Sequence, residues 1–170
     1  KEKNIKIGVT TGWNKEQMTE VKKLLVKNNI HIDSYVSSTC LNKPGRPHPY
    51  MIHQIMDELD IDDPKRIIKI DDTVTGIQEG LNGGCWAVGV SRWSINMDIM
   101  NEEEEHKMDM LTHENDNYYH LVKKKQIARS ILLTAKPHYV IDTLEGLDPL
   151  IDSMNDRGKS LPFQRAMKNN

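Results

Sequence analysis

The sequence predicts an α/β fold built on a doubly wound parallel sheet. Three observations lead there. Short runs rich in Ile and Val alternate with stretches of helical periodicity, and the connections between them are short. Hydroxyl, guanidinium and carboxylate residues follow successive predicted strands, where open α/β sheets gather their ligands.

Ile5, Ile7 and Val9 form the first run. Asn14 then starts a helix, with Gln17 as its capping-box partner. Met18, Val21, Leu24 and Leu25 give that helix its apolar face. A second strand is expected near Ile32 to Val36, and residues 47–59 read as a helix carrying Met51, Ile52, Ile55, Met56 and Leu59. The compact run RIIKI (66–70) is the next strand and ends at Asp71-Asp72. A helix with Ile77 and Leu81 follows, stopping at Gly83-Gly84, and CWAVGV (85–90) is a strand. Residues 92–116 are polar and are expected to form a long loop plus a solvated helix. The four glutamates at 102–105 read as a wet face. Residues 117–134 make a helix with Leu121, Ile127, Ile131 and Leu132, and HYVI (138–141) is the last strand. Asp142 is expected to cap the closing helix with Glu145 as partner. The expected organisation is a partial core domain over residues 1–156 and a polar tail over 157–170.

The chain has 170 residues, long enough for a sizeable core, and a net charge of −2. With acidic and basic residues interspersed, no strong field toward nucleic acid or a membrane surface follows, and neither is expected as a partner. No apolar run approaches the ~20 residues of a membrane span. Cys40 and Cys85 form neither a disulfide framework nor a zinc spacing, so a reducing compartment, the cytoplasm, is the expectation. The chain opens at Lys1 and enters an apolar strand pattern at once, as a fragment would.

Thr10-Thr11-Gly12 follows the first strand, Pro44-Gly45-Arg46-Pro47 lies after the second, and Asp71-Asp72-Thr73 follows RIIKI. Together these are a phosphate-and-magnesium inventory. Mg²⁺ takes hard oxygen ligands, commonly one or two carboxylates plus water and substrate oxygens. Arg offers planar bidentate donors to a phosphoryl group, and a hydroxyl with backbone N–H groups at a helix start can hold another oxygen. Each residue also has a plainer reading. Thr11 suits a turn, Arg46 a surface loop, and Asp71-Asp72 an N-cap. Adjacent like charges at a strand end are costly unless a cation neutralises them, which tilts the pair toward metal. His48, close after Arg46, is either a pocket-rim residue or a surface histidine. Core packing is the expected role of Cys85 and Trp86. Trp93 is expected in the loop after that strand, covering the site or meeting another subunit. His113 and His120 have no acidic partner in metal register, and no H-E-x-x-H exists.

The blocks GVTTGW (8–13), PGRPHPYM (44–51), KIDDTVTGI (69–77), EGLNGGCWAVGV (79–90) and HYVID (138–142) resemble the later motifs of the phosphonoacetaldehyde hydrolases, a branch of the haloacid dehalogenase superfamily. The resemblance covers most of residues 1–153 in the family's order. It implies a Rossmann-like parallel sheet of the haloacid dehalogenase type. It implies that Thr11 hydrogen-bonds the transferring phosphoryl group, that Arg46 is the cation balancing its charge, and that Asp71 and Asp72 hold Mg²⁺ directly or through water. Thr10, Gly12 and His48 are the expected substrate-binding neighbours. Gly76 stands where another version of the fourth motif has its later Asp, so the Asp-Asp form here is complete.

The family's nucleophile is an aspartate in a D-x-D-G-T motif, and a cap-domain lysine forms a Schiff base with the aldehyde. Neither segment is found in this sequence. The resemblance therefore implies a chain missing its first central strand and its cap domain, inactive by itself, from a parent that hydrolyses a phosphonate to acetaldehyde and phosphate. A homodimer is the expected state of the full-length parent. Two alternatives stand beside this: another phosphatase or phosphomutase of the superfamily, and a non-catalytic truncated or split module.

Overall fold

The computed structural model describes residues 5–92, 94–97 and 116–156, with the side chains of 116–118, 120, 121 and 156 left aside. The expectations for most of residues 92–116, for Trp93 and for the 157–170 tail lie outside the described residues, as does the side chain of His120.

The elements follow the predicted alternation. Strand β1 (Gly8–Thr11) leads to α1 (Lys15–Lys27), β2 (Ser34–Ser37), a short α2 (Ser38–Leu41) and α3 (Tyr50–Leu59). Strand β3 (Ile68–Asp71), α4 (Val74–Asn82), β4 (Trp86–Val90), α5 (Asp116–Leu133), β5 (Tyr139–Ile141) and α6 (Leu147–Asp156) complete it. The strands make two sheets, one of order β1-β2 and one of order β3-β4-β5. Both described ladders are parallel: Gly8 to Thr11 pair with Ser34 to Ser37, and Val88 to Val90 with Tyr139 to Ile141. Among the described residues no ladder joins the two sheets.

The chain divides into two compact units. The first comprises the residues up to Lys69 together with Thr75–Ala87, and the second Ile70–Val74 and Val88 onward. Within the first unit, Val36, Met51, Ile55 and Leu59 form a core cluster flanked by Leu41 and Ile61. Gly8 lets β1 lie against α3, since a Cβ there would come within 2.8 Å of Ile55. Within the second unit, Val88, Val90, Met97, Ala128, Leu132 and Ala135 are buried, and α5 packs on β5 and on the turn Ile95–Met97.

Local signals explain most boundaries. Asn14 accepts from the Gln17 N–H at 2.9 Å while Gln17 Oε1 accepts from the Asn14 N–H at 3.0 Å, a closed capping box. Gly84 sits at φ +75 just beyond α4, where a left-handed residue ends a helix cheaply. Three expectations need correction. Leu24 is 58% exposed, because at 100° per residue it falls away from the Met18–Val21–Leu25 stripe. Ile127 is likewise exposed; α5 buries the expected Leu132, and with it Ala128, which the pattern does not mark. Asp142 is not a helix cap. Thr143 stands at that position ahead of a 3-10 turn, Leu144–Gly146, and its hydroxyl donates to Glu145 at 3.2 Å.

Candidate active site

The first unit holds Thr10, Thr11, Gly12, Arg46 and His48; the second holds Asp71 and Asp72. Because side chains alternate across a strand, Thr10 and Thr11 face opposite ways at the end of β1. Thr11 is buried, and its hydroxyl accepts the Trp13 N–H at 3.1 Å, closing the turn into α1. Gly12 is exposed, with nothing within 4 Å of where a Cβ would stand. Thr10 enters a network that sequence reading missed. Its hydroxyl donates to Glu79 Oε2 at 3.0 Å and accepts from Lys69 Nζ at 3.0 Å, and Lys69 stands 3.3 Å from the same carboxylate oxygen.

Glu79 is fully buried in α4, and its Oε1 has no hydrogen-bond partner among the described residues. Burial raises its pKa, and the charges of Lys69 and Arg46 with the Thr10 hydroxyl offset that only in part. Thr10 and Lys69 are thus the side chains that meet this carboxylate directly, with the Arg46 charge a smaller and more distant influence on it. The loop bearing Arg46 is held from two sides. A Cβ on Gly45 would meet Ser38 at 3.3 Å, and Asn82 Nδ2 donates to the Pro47 carbonyl at 2.8 Å. His48 is exposed, stacked on the Tyr50 ring at 5.8 Å, and Lys43 lies 4.9 Å from the Tyr50 ring centre.

In the second unit Asp71 ends β3, and its Oδ1 accepts both the N–H and the hydroxyl of Thr73, at 3.0 and 2.7 Å. The Asp72 carbonyl accepts from Ser94 Oγ at 2.9 Å. Two adjacent half-buried carboxylates at a strand end suit a hard cation that keeps most of its water. Among the described residues no three His, Cys, Asp or Glu side chains gather to hold a metal ion. At the ends of β4 and β5, Asp142 accepts from Ser91 Oγ at 3.0 Å and from Lys125 Nζ at 2.9 Å, with Arg129 at 3.7 Å. Burial alone would raise its pKa, but Lys125, Ser91 and Arg129 together hold the carboxyl below the usual range.

Cys85 is fully buried, and burial pushes its thiol up to about 11, consistent with packing rather than nucleophilic chemistry. Trp86 is half-buried, its indole N–H donating to the Lys65 carbonyl at 3.0 Å. Among the described residues no helix is long and apolar enough to cross a membrane.

The family description "haloacid dehalogenase-like hydrolase" matches residues 1–84. A phosphonoacetaldehyde hydrolase of Paraburkholderia phytofirmans is 35% identical over 91% of this chain, and one of Lysinibacillus sphaericus is 32% identical over 92%. The solved structure of a phosphonoacetaldehyde hydrolase-like protein from Oleispira antarctica superposes with a TM-score of 0.79 at 29% identity, covering 94% of this chain. The first 84 residues are thus similar to the haloacid dehalogenase-like hydrolases. The chain spans about half the length of the curated relatives it matches, 54% and 55% of the two named above, and 55% of the solved structure.

Proposed function

We propose that the chain is the C-terminal part of a phosphonoacetaldehyde hydrolase, residues 1–156 being core domain and 157–170 a polar tail. The parent protein cleaves the P–C bond of phosphonoacetaldehyde to give acetaldehyde and phosphate. The observation that carries this reading is the chain's likeness, over nine-tenths of its length, to enzymes of that name, with Thr11 closing β1 and Asp71 closing β3.

Arg46 presents two N–H donors to the phosphoryl oxygens and balances the charge that develops there. The Thr11 hydroxyl, which already accepts the Trp13 N–H, donates its own proton to another oxygen. Thr10, Gly12 and His48 shape the floor and rim. Asp71 and Asp72 would hold Mg²⁺, which when bound neutralises phosphoryl charge. The aspartate that takes the phosphoryl group, and the lysine whose imine receives the electron pair of the breaking P–C bond, lie outside this sequence. The chain by itself is therefore inactive. The parent works in the cytoplasm on a small phosphonate, as a homodimer.

Acetaldehyde release by the parent protein tests this. Arg46→Met is expected to lower kcat about 10²–10³-fold, the scale of one lost charge-stabilising donor. Asp72→Ala is expected to abolish the Mg²⁺ dependence together with turnover. Full activity in Asp72→Ala would remove the metal assignment. Turnover of a phosphomonoester with no acetaldehyde from phosphonoacetaldehyde would move the parent to the superfamily's phosphatases.

A further inference from the structure

The block EGLN, residues 79–82, is a feature the proposed chemistry does not use. Glu79 and Asn82 lie three apart on α4 and so share a face of that helix. Glu79 grips the end of β1 through the Thr10 hydroxyl and also anchors Lys69. Asn82 reaches 35 residues back along the chain to the carbonyl of Pro47, the residue directly after Arg46. The helix end is seated closely on α3, since a Cβ on Gly83 would meet Ile52 at 3.2 Å. One helix thus touches both segments expected to hold the phosphoryl group. The Asn82 side chain is exposed, so its bond to Pro47 contributes little burial. What it fixes is the direction in which the Arg46 loop leaves the turn closed by the His48 N–H on the Gly45 carbonyl, at 3.1 Å.

We infer that Asn82 is a positioning residue for the anion site, holding the Arg46 loop against α4 while Glu79 ties the same helix to the Thr10 strand end. Asn82 touches no reacting group; it acts through Arg46. The inference rests on the reading of Arg46 as a phosphate ligand. It narrows the choice at position 82, where a side-chain donor of this reach is required and a carboxylate or an aliphatic group will not serve.

The test uses the 170-residue chain and inorganic phosphate, followed by titration calorimetry and by the Arg46 Nε–H resonance. Asn82→Ala is expected to weaken phosphate binding about three- to tenfold, the scale of one hydrogen bond, and to shift the Arg46 resonance toward that of a free side chain. The thermal midpoint should stay put, and Asn82→Gln should recover most of the affinity. Asn82→Leu, which keeps bulk and removes the donor, serves if the alanine variant melts early. Wild-type affinity and an unmoved resonance in both apolar variants overturn the inference. Phosphate binding that ignores Arg46→Met, or no binding by the unaltered chain, overturns the anion-site reading itself. Binding lost with Arg46→Met but retained in the Asn82 variants overturns the positioning role alone.

Discussion

Asp142 is held as a carboxylate by Lys125, Ser91 and Arg129, against the effect of its own partial burial. Its pKa in the folded chain lies below the reference value of 3.8. Between the folded and unfolded values the unfolded chain binds more protons, so the stabilisation is complete above the unfolded value and is lost as pH falls through the folded one. Asp142→Asn is therefore expected to lower the thermal midpoint at neutral pH and to converge with the unaltered chain in strong acid; parallel melting curves at all pH values would refute this. Glu79 shows the opposite balance. Its raised pKa means the folded state holds the proton more tightly, so its contribution declines as pH rises through the folded value. Ionised Glu79 is nonetheless the counter-charge of Lys69, whose side chain is 11% exposed. Removing the carboxylate strands that ammonium but also relieves the carboxylate's own burial, so Glu79→Gln should lose less stability at neutral pH than Lys69→Met, which strands the fully buried carboxylate. Denaturant melts of the two variants decide it. Neither arrangement was legible in the sequence. Thr10 lies 69 residues from Glu79 and 59 from Lys69, and a glutamate inside a helical pattern carries no local mark of burial. Asp142 read as a cap because Glu145 stands three residues on, a local pattern that its tertiary partners override.

At the scale of the element, short-range chemistry reads well. The capping box of α1 needs only Asn14 and Gln17, and both of its bonds form. Asn14→Ala should cost about 1 kcal/mol of stability, measured by denaturant unfolding, and a neutral result would mean that α1 is fixed by packing alone. Helix α4 ends where Gly83-Gly84 interrupts the pattern, with Gly84 at positive φ. Gly80 has a different reason to be glycine. A Cβ there would stand 2.7 Å from the Lys69 Cβ and 3.4 Å from the Ala87 Cβ. The helix and strands would have to part, so Gly80→Ala is expected to destabilise by about 1–3 kcal/mol and to disturb the Lys69–Glu79 pair along with it. Reading α5 from periodicity was less successful. The helix itself is found, but its buried face runs through Ala128 and Leu132 and leaves Ile127 outside. Small residues can be buried where an element packs closely, and a pattern weighted toward large apolar side chains does not find them.

At the scale of the whole molecule, the order of strands and helices was legible because each element carries its own periodicity and punctuation. The candidate site was legible only as residue types following strands; which of them act on one another depends on packing. On the proposed reading Thr10, Thr11 and Arg46 supply donors toward a phosphoryl group and Asp71 and Asp72 supply carboxylates toward Mg²⁺, and the sequence contains no D-x-D-G-T motif to supply the family's nucleophile. Charge stabilisation lowers a barrier only when a nucleophile is present to use it. The 170-residue chain is accordingly expected to bind inorganic phosphate, with Arg46→Met abolishing the binding, while releasing no acetaldehyde from phosphonoacetaldehyde even with Mg²⁺ present. A coupled alcohol dehydrogenase assay beside a phosphate titration separates the two halves of this expectation. Acetaldehyde release that disappears in Arg46→Met would mean that a carboxylate or lysine within this chain replaces the family's nucleophile and imine. Asp71, Asp72 and Lys69 would then be the residues to alter first.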